Sequence, residues 1–143
     1  MYRTRKTTKA YSTASQKKKL EADIKACPFC NLKGREIQEE GKFSFVTKNI
    51  FGYQYWEFMG VMDHLMIVPK RHVKGLSDLS SAERSEIMDK ISRFEGMGYN
   101  VYAREKNNPV KSVPHQHTHL LKTDNRLARF AVYFKKPYLL IRR

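Results

Sequence analysis

The sequence predicts an α+β domain, a mainly antiparallel sheet with one principal helix packed on it, and three observations carry that prediction. Residues 65–68, Leu-Met-Ile-Val, form an unbroken apolar run between His64 and Pro69, as in a strand buried on both faces. Residues 80–94 carry a helical repeat behind a capping pair. The rest of the chain holds short aromatic and β-branched runs separated by turn residues. A length of 143 residues suits one domain, and no apolar run approaches the roughly 18 needed to cross a bilayer.

The elements follow in order. Residues 1–20 carry Arg3, Arg5, Lys6, Lys9, Lys17, Lys18 and Lys19 and no acid, so half of the net charge of +14 lies there. This segment is read as a basic, disordered tail, with residues 21–143 as the domain. Such a tail attracts phosphate polymers by counterion release, or simply keeps the chain in solution. A transit peptide is a further reading, because the segment is rich in Arg, Lys, Ser and Thr. Without an apolar secretory segment, a cytoplasmic address is the default. Residues 16–26 have only a thin apolar face for a short helix.

Strands are expected at residues 43–46 and 56–59, separated by the turn-prone Lys48-Asn49-Ile50-Phe51-Gly52, and a central strand at 65–68. Ser80 stands three residues before Glu83 as a capping box, Ile87, Ile91 and Phe94 recur at helical spacing, and Gly96 or Gly98 ends the helix. Arg84, Glu86 and Asp89 form its water-facing side. Residues 99–105 read as a strand, 106–109 as a turn, and 130–134 and 138–141 as two terminal strands around Lys135-Lys136-Pro137.

Three of the five histidines, His115, His117 and His119, alternate within five residues. If residues 113–121 are a strand, its period of two puts all three on one face, with Gln116 and Thr118 behind. The outer pair would then lie roughly 13 Å apart at ~3.3 Å per residue, too far to ligate one ion. The roles must divide, and a row of donors and nucleophiles suits a phosphate lying along it. The bland reading is a histidine-rich surface strand without a task.

The run Ser112-Val-Pro-His-Gln-His-Thr-His-Leu-Leu121 resembles the signature of the histidine triad family. Cys27-Pro-Phe-Cys30 and Asp63-His-Leu-Met-Ile-Val-Pro-Lys-Arg-His72 agree in order and spacing, so that the resemblance spans residues 27–121. It implies a HIT-like fold and a nucleotide hydrolase or transferase, acting on a nucleoside phosphoramidate, a dinucleoside polyphosphate or a similar conjugate. By the same resemblance His117 attacks the α-phosphorus and carries the nucleotidyl group, His119 supports it beside the phosphate, and Ser112 offers a hydroxyl to the phosphate or leaving group. A backbone carbonyl on the other ring nitrogen would fix the tautomer of His117. Asn49 resembles a family position at the sugar or phosphate, though less closely. A homodimer is common in the family.

For the two cysteines three readings stand: a thioredoxin-like redox pair, whose flanking sequence fits poorly, a reduced thiol pair, and a zinc site needing two further ligands. Zinc-bearing members of the family imply Cys27, Cys30, His72 and His115 as a structural Zn2+ site. His64 is left as a hydrogen-bonded structural histidine. The chain departs from the family at Lys111, where a glutamine is common; a lysine there adds charge near the phosphates or points to water. Gln116 and Thr118 are more polar than usual, which suggests a shallowly buried reverse face. The rival classes are a nucleic-acid-associated module that uses residues 1–20 and a purely structural zinc protein.

Overall fold

A computed structural model describes residues 27–32 and 34–127. The expected basic tail, the short helix at 16–26 and the strands at 130–134 and 138–141 lie outside the described residues.

Among the described residues, six strands form one sheet in the order β1-β2-β4-β6-β5, with β3 paired to β4 at its start. They are β1 (Ile37–Glu40), β2 (Ser44–Lys48), β3 (Tyr55–Trp56), β4 (Met59–Pro69), β5 (Tyr99–Ala103) and β6 (Thr118–Thr123), and every pairing is antiparallel. The α-helix α1 (Ser81–Gly96) packs on the sheet. The expected architecture is thus the one found.

β4 is central and pairs with both β2 and β6. Its alternation divides the interior: Leu65 and Ile67 join Val46, Leu120, Ile87 and Phe94 beneath α1, whereas Met66 and Val68 join Phe45, Phe29 and Leu32 in a second cluster on the opposite face. The apolar run needed no alternation because both faces are covered.

α1 begins as its sequence dictates. Ser80 accepts the N–H of Glu83, and the Glu83 carboxylate accepts the N–H of Ser80 at 2.6 Å. Gly98, at φ +86°, turns the chain into β5, a conformation that costs little without a Cβ.

Four local expectations need correction. Residues 56–59 are a hairpin turn between β3 and β4, where Glu57 and Phe58 both take positive φ, 48° and 63°. A strand at β1 was not foreseen, because Ile37 is its only apolar residue and its ladder to β2 does the organising. β5 ends at Ala103 rather than at residue 105. Glu86 does not face water: it accepts from the N–H groups of Phe43 and Ser44 and from the Ser44 hydroxyl, at 2.6 to 2.9 Å, and pairs with the buried Lys90 at 3.1 Å. Burial opposes its charge, yet these donors hold its carboxyl down at about 2.

Candidate functional site

The histidine run is not one strand. β6 starts only at Thr118, and residues 112–117 cross the end of β4 irregularly, held by tertiary bonds. The Gln116 N–H donates to Val73 O at 2.6 Å, and His115 Nε2 lies 2.9 Å from Pro69 O. The reverse side is also not shallow, for Gln116 and Thr118 are 1% and 2% exposed. Lys111 and the Val73 carbonyl satisfy Gln116, and Thr118 is enclosed by the ladder between Ile67 and Ala103.

Each histidine therefore has its own surroundings. His115 has no exposed surface, and because a carbonyl only accepts, its Nε2 must donate to Pro69, leaving Nδ1 unprotonated. That nitrogen lies 3.4 Å from Cys27 Sγ and 3.5 Å from Cys30 Sγ, while Cys30 Sγ lies 3.3 Å from His72 Nδ1. One ligand atom from each of Cys27, Cys30, His72 and His115 falls within 4.8 Å of the others. Two sulfurs and two imidazole nitrogens so gathered can hold a metal ion, and the Pro69 bond orients one ring as a ligand requires. Burial and the neighbouring Cys27 sulfur push the Cys30 thiol up to about 11, so two adjacent thiolates need a cation beside them.

His117 donates through Nδ1 to the carbonyl of His115 at 2.8 Å, which leaves the Nε2 lone pair available. Desolvation holds its pKa down at about 4 against that bond, with Lys111 and Arg104 adding to the effect, so the ring is neutral near pH 7.

His119 lies in β6 opposite Met66 on β4 and Tyr102 on β5. Its Nδ1 is 2.9 Å from Nε2 of His64, and the Tyr53 N–H donates to His64 Nδ1 at 3.0 Å. The neutral His64 ring consequently carries its proton on Nε2 and gives it to His119, whose own proton must sit on Nε2. Asn49 flanks this pair, its Nδ2 being 3.1 Å from His64 Nε2 and its Oδ1 accepting the Phe51 N–H. His64, expected to be merely structural, orients His119. Its position one strand over and facing the triad was the missed signal, and strand pairing alone reveals it.

His117 and His119 line a cavity of about 550 Å³ with Ser112, Asn49 and Arg104. Its apolar wall includes Phe29, Leu32, Met66, Ile50 and Val113. Phe29, between the two cysteines, stands edge-on to the His115 ring at 5.8 Å and tilts over that of His117 at 5.2 Å. Lys111 is not part of the lining: its ammonium donates to Lys74 O at 2.5 Å and to Gln116 Oε1 at 3.0 Å. Arg104, which the sequence reading passed over, is part of it.

Residues 60–126 match the family model of the HIT domain. The match spans 67 of the 143 residues and takes in all three histidines of the run. Among solved structures it is similar to a hypothetical protein from Leishmania major, with 18% identity, 82% of this chain and 87% of that chain covered and a TM-score of 0.58, which marks a common fold. It is also similar to a HIT family hydrolase from Legionella pneumophila, with 20% identity, 76% and 97% covered and a TM-score of 0.48. A histidine triad nucleotide-binding protein from Candida albicans gives 21% identity, 75% and 85% covered and a TM-score of 0.48. No curated protein matches the chain significantly. The family match begins after Asn49 and the cysteine pair, so their membership in the site rests on geometry alone. Among the described residues no helix is long and apolar enough to cross a membrane.

Proposed function

We propose that this chain is a nucleotide hydrolase or nucleotidyl transferase that acts at an α-phosphate through a covalent histidine intermediate. The carrying observation is the bond from His117 Nδ1 to the His115 carbonyl, which leaves an unprotonated Nε2 beside His119 and Ser112 in one cavity. In the first step Nε2 attacks the α-phosphorus, the N–P bond forms, and the bond from phosphorus to the leaving group breaks with its electron pair. In the second, water attacks the same phosphorus, the N–P bond breaks, and its pair returns to Nε2 while the water proton goes to solvent. Dividing one displacement into two is the gain of nucleophilic catalysis.

His119 presents Nε2–H to the phosphate as its charge grows, held in that tautomer by His64. Ser112 and Asn49 offer hydrogen-bonding groups to phosphate and sugar. Zinc is the ion best suited to Cys27, Cys30, His72 and His115, as a structural tie with no position left for substrate. The HIT hydrolase named above is consistent with this reading.

The experiment is release of a mononucleotide from a nucleoside phosphoramidate and from a dinucleoside polyphosphate, with acid-quenched trapping of labelled protein. His117→Ala should lose roughly a thousandfold or more in kcat/KM and all labelling. Hydrolysis left unchanged in that variant overturns the proposal.

A further inference from the structure

We propose that Arg104 selects the leaving group, so that this site is built for phosphate-bridged nucleotides, whose leaving group departs as an oxyanion, rather than for nucleotides joined to an amine. The inference rests on the reading of His117 as the nucleophile, and goes beyond it by choosing between the two substrate classes.

Two cationic side chains line the cavity among the described residues, Lys48 and Arg104. Lys48 ends β2 on the Asn49 side and reaches towards Asp63, 4.0 Å away. Arg104 follows β5 directly and stands on the side of His119. Its guanidinium lies 5.4 Å from the centre of the Tyr102 ring, and Tyr102 stacks on His119 with centres 5.8 Å apart and planes at 22°. Its Nη1 donates to Val110 O at 3.4 Å, which ties it to the loop that brings Ser112 to the same cavity. One face of the guanidinium is therefore braced by an aromatic ring in the tier that holds His119. A planar fork of N–H donors held in this way matches phosphate oxygens.

The chemistry of departure then discriminates. When His117 attacks a phosphate-bridged nucleotide, the bond from the α-phosphorus to the bridging oxygen breaks and its electron pair stays on that oxygen. The negative charge grows beside the Arg104 fork, which stabilises it without moving a proton. An amine leaving group must instead take up a proton as the P–N bond breaks. A guanidinium cannot supply one, and its charge repels the ammonium that forms.

The test compares a dinucleoside tetraphosphate with a nucleoside phosphoramidate of the same base, in the full chain and in Arg104→Gln and Arg104→Lys. For the tetraphosphate, Arg104→Gln should lower kcat/KM roughly 10- to 100-fold, the range of one charge-assisted contact, while the phosphoramidate changes less than about threefold. Arg104→Lys, which keeps the charge but not the fork, should fall between. Equal losses on both substrates, or a parent chain that prefers the phosphoramidate, overturns the role of Arg104 while labelling of His117 persists. Absence of labelling in the parent chain with either substrate overturns the nucleophile itself, and this inference with it.

Discussion

His119 and Leu120 are consecutive in β6 and almost equally buried, 4% and 0% exposed, yet they belong to different regions of the molecule. Leu120 points under α1 into an apolar cluster with Val46, Ile67 and Ile87. His119 points to the opposite face, among Tyr53, Tyr102, His64 and His117. One face is filled by groups that gain from leaving water. The other encloses imidazoles whose polar atoms are oriented by particular partners. Burial alone does not separate a core from a reactive site; what separates them is whether the buried atoms need partners, and the two-residue period of the strand keeps the two requirements apart.

The sharpest way to break the comparison is to truncate each neighbour in turn. Leu120→Ala should cost about 3 kcal/mol of unfolding free energy, by lost burial and the cavity left, measured by urea titration. Nucleotide labelling of His117 should survive it wherever the chain is folded. His119→Ala should do the reverse, lowering turnover roughly a hundredfold with a smaller loss of stability. If both variants lose stability and turnover in the same proportion, the division of labour between the faces is wrong.

Removing metal addresses the tie between the second face and the cysteine segment. Elemental analysis of the purified chain should find about one zinc per chain, and chelation should lower the melting temperature by about 5 °C while exposing two titratable thiols. A chain that binds no metal and melts unchanged with chelator contradicts the assignment of Cys27, Cys30, His72 and His115.

A smaller effect belongs to the helix side. The Arg71 fork donates to both Glu83 oxygens at 2.9 and 2.7 Å, and with the Ser80 cap it holds the Glu83 carboxyl at about 2 against burial. A carboxylate depressed in the folded state adds stability above its unfolded pKa, near 4.3, and loses it as pH falls toward 2. Glu83→Gln should therefore flatten the fall in melting temperature between about pH 5 and pH 2, and an unchanged slope would remove this ion pair from the account. Because Arg71 precedes His72, the pair also anchors the segment that carries one member of the metal cluster.

What could be read from the sequence was what neighbours in the chain decide. Ser80 and Glu83 lie one helical turn apart, so the start of α1 was legible, as was the doubly buried run in β4. The start of β6 was not, because Pro69 and Val73, far back in the chain, hold residues 115 and 116 out of the ladder. Glu86 looked like a surface residue until β2 brought the N–H groups of Phe43 and Ser44 to it. Arg104 was passed over, and His64 read as a hydrogen-bonded structural histidine, for the same reason: each becomes part of the site only when another strand or loop is laid beside it. The distance argument against a shared ion assumed a strand spacing that residues 115–117 do not keep, yet the four atoms that could hold an ion converge around His115 rather than along the run.

His115 is fixed twice over, its ring among the two cysteine sulfurs and His72, its carbonyl against the ring of His117. The interval between the two residues is thereby constrained from both ends. A single residue inserted or deleted there would leave the ring without its partners or the neighbouring imidazole without its acceptor, and no rotamer could restore both. The length of this stretch cannot change.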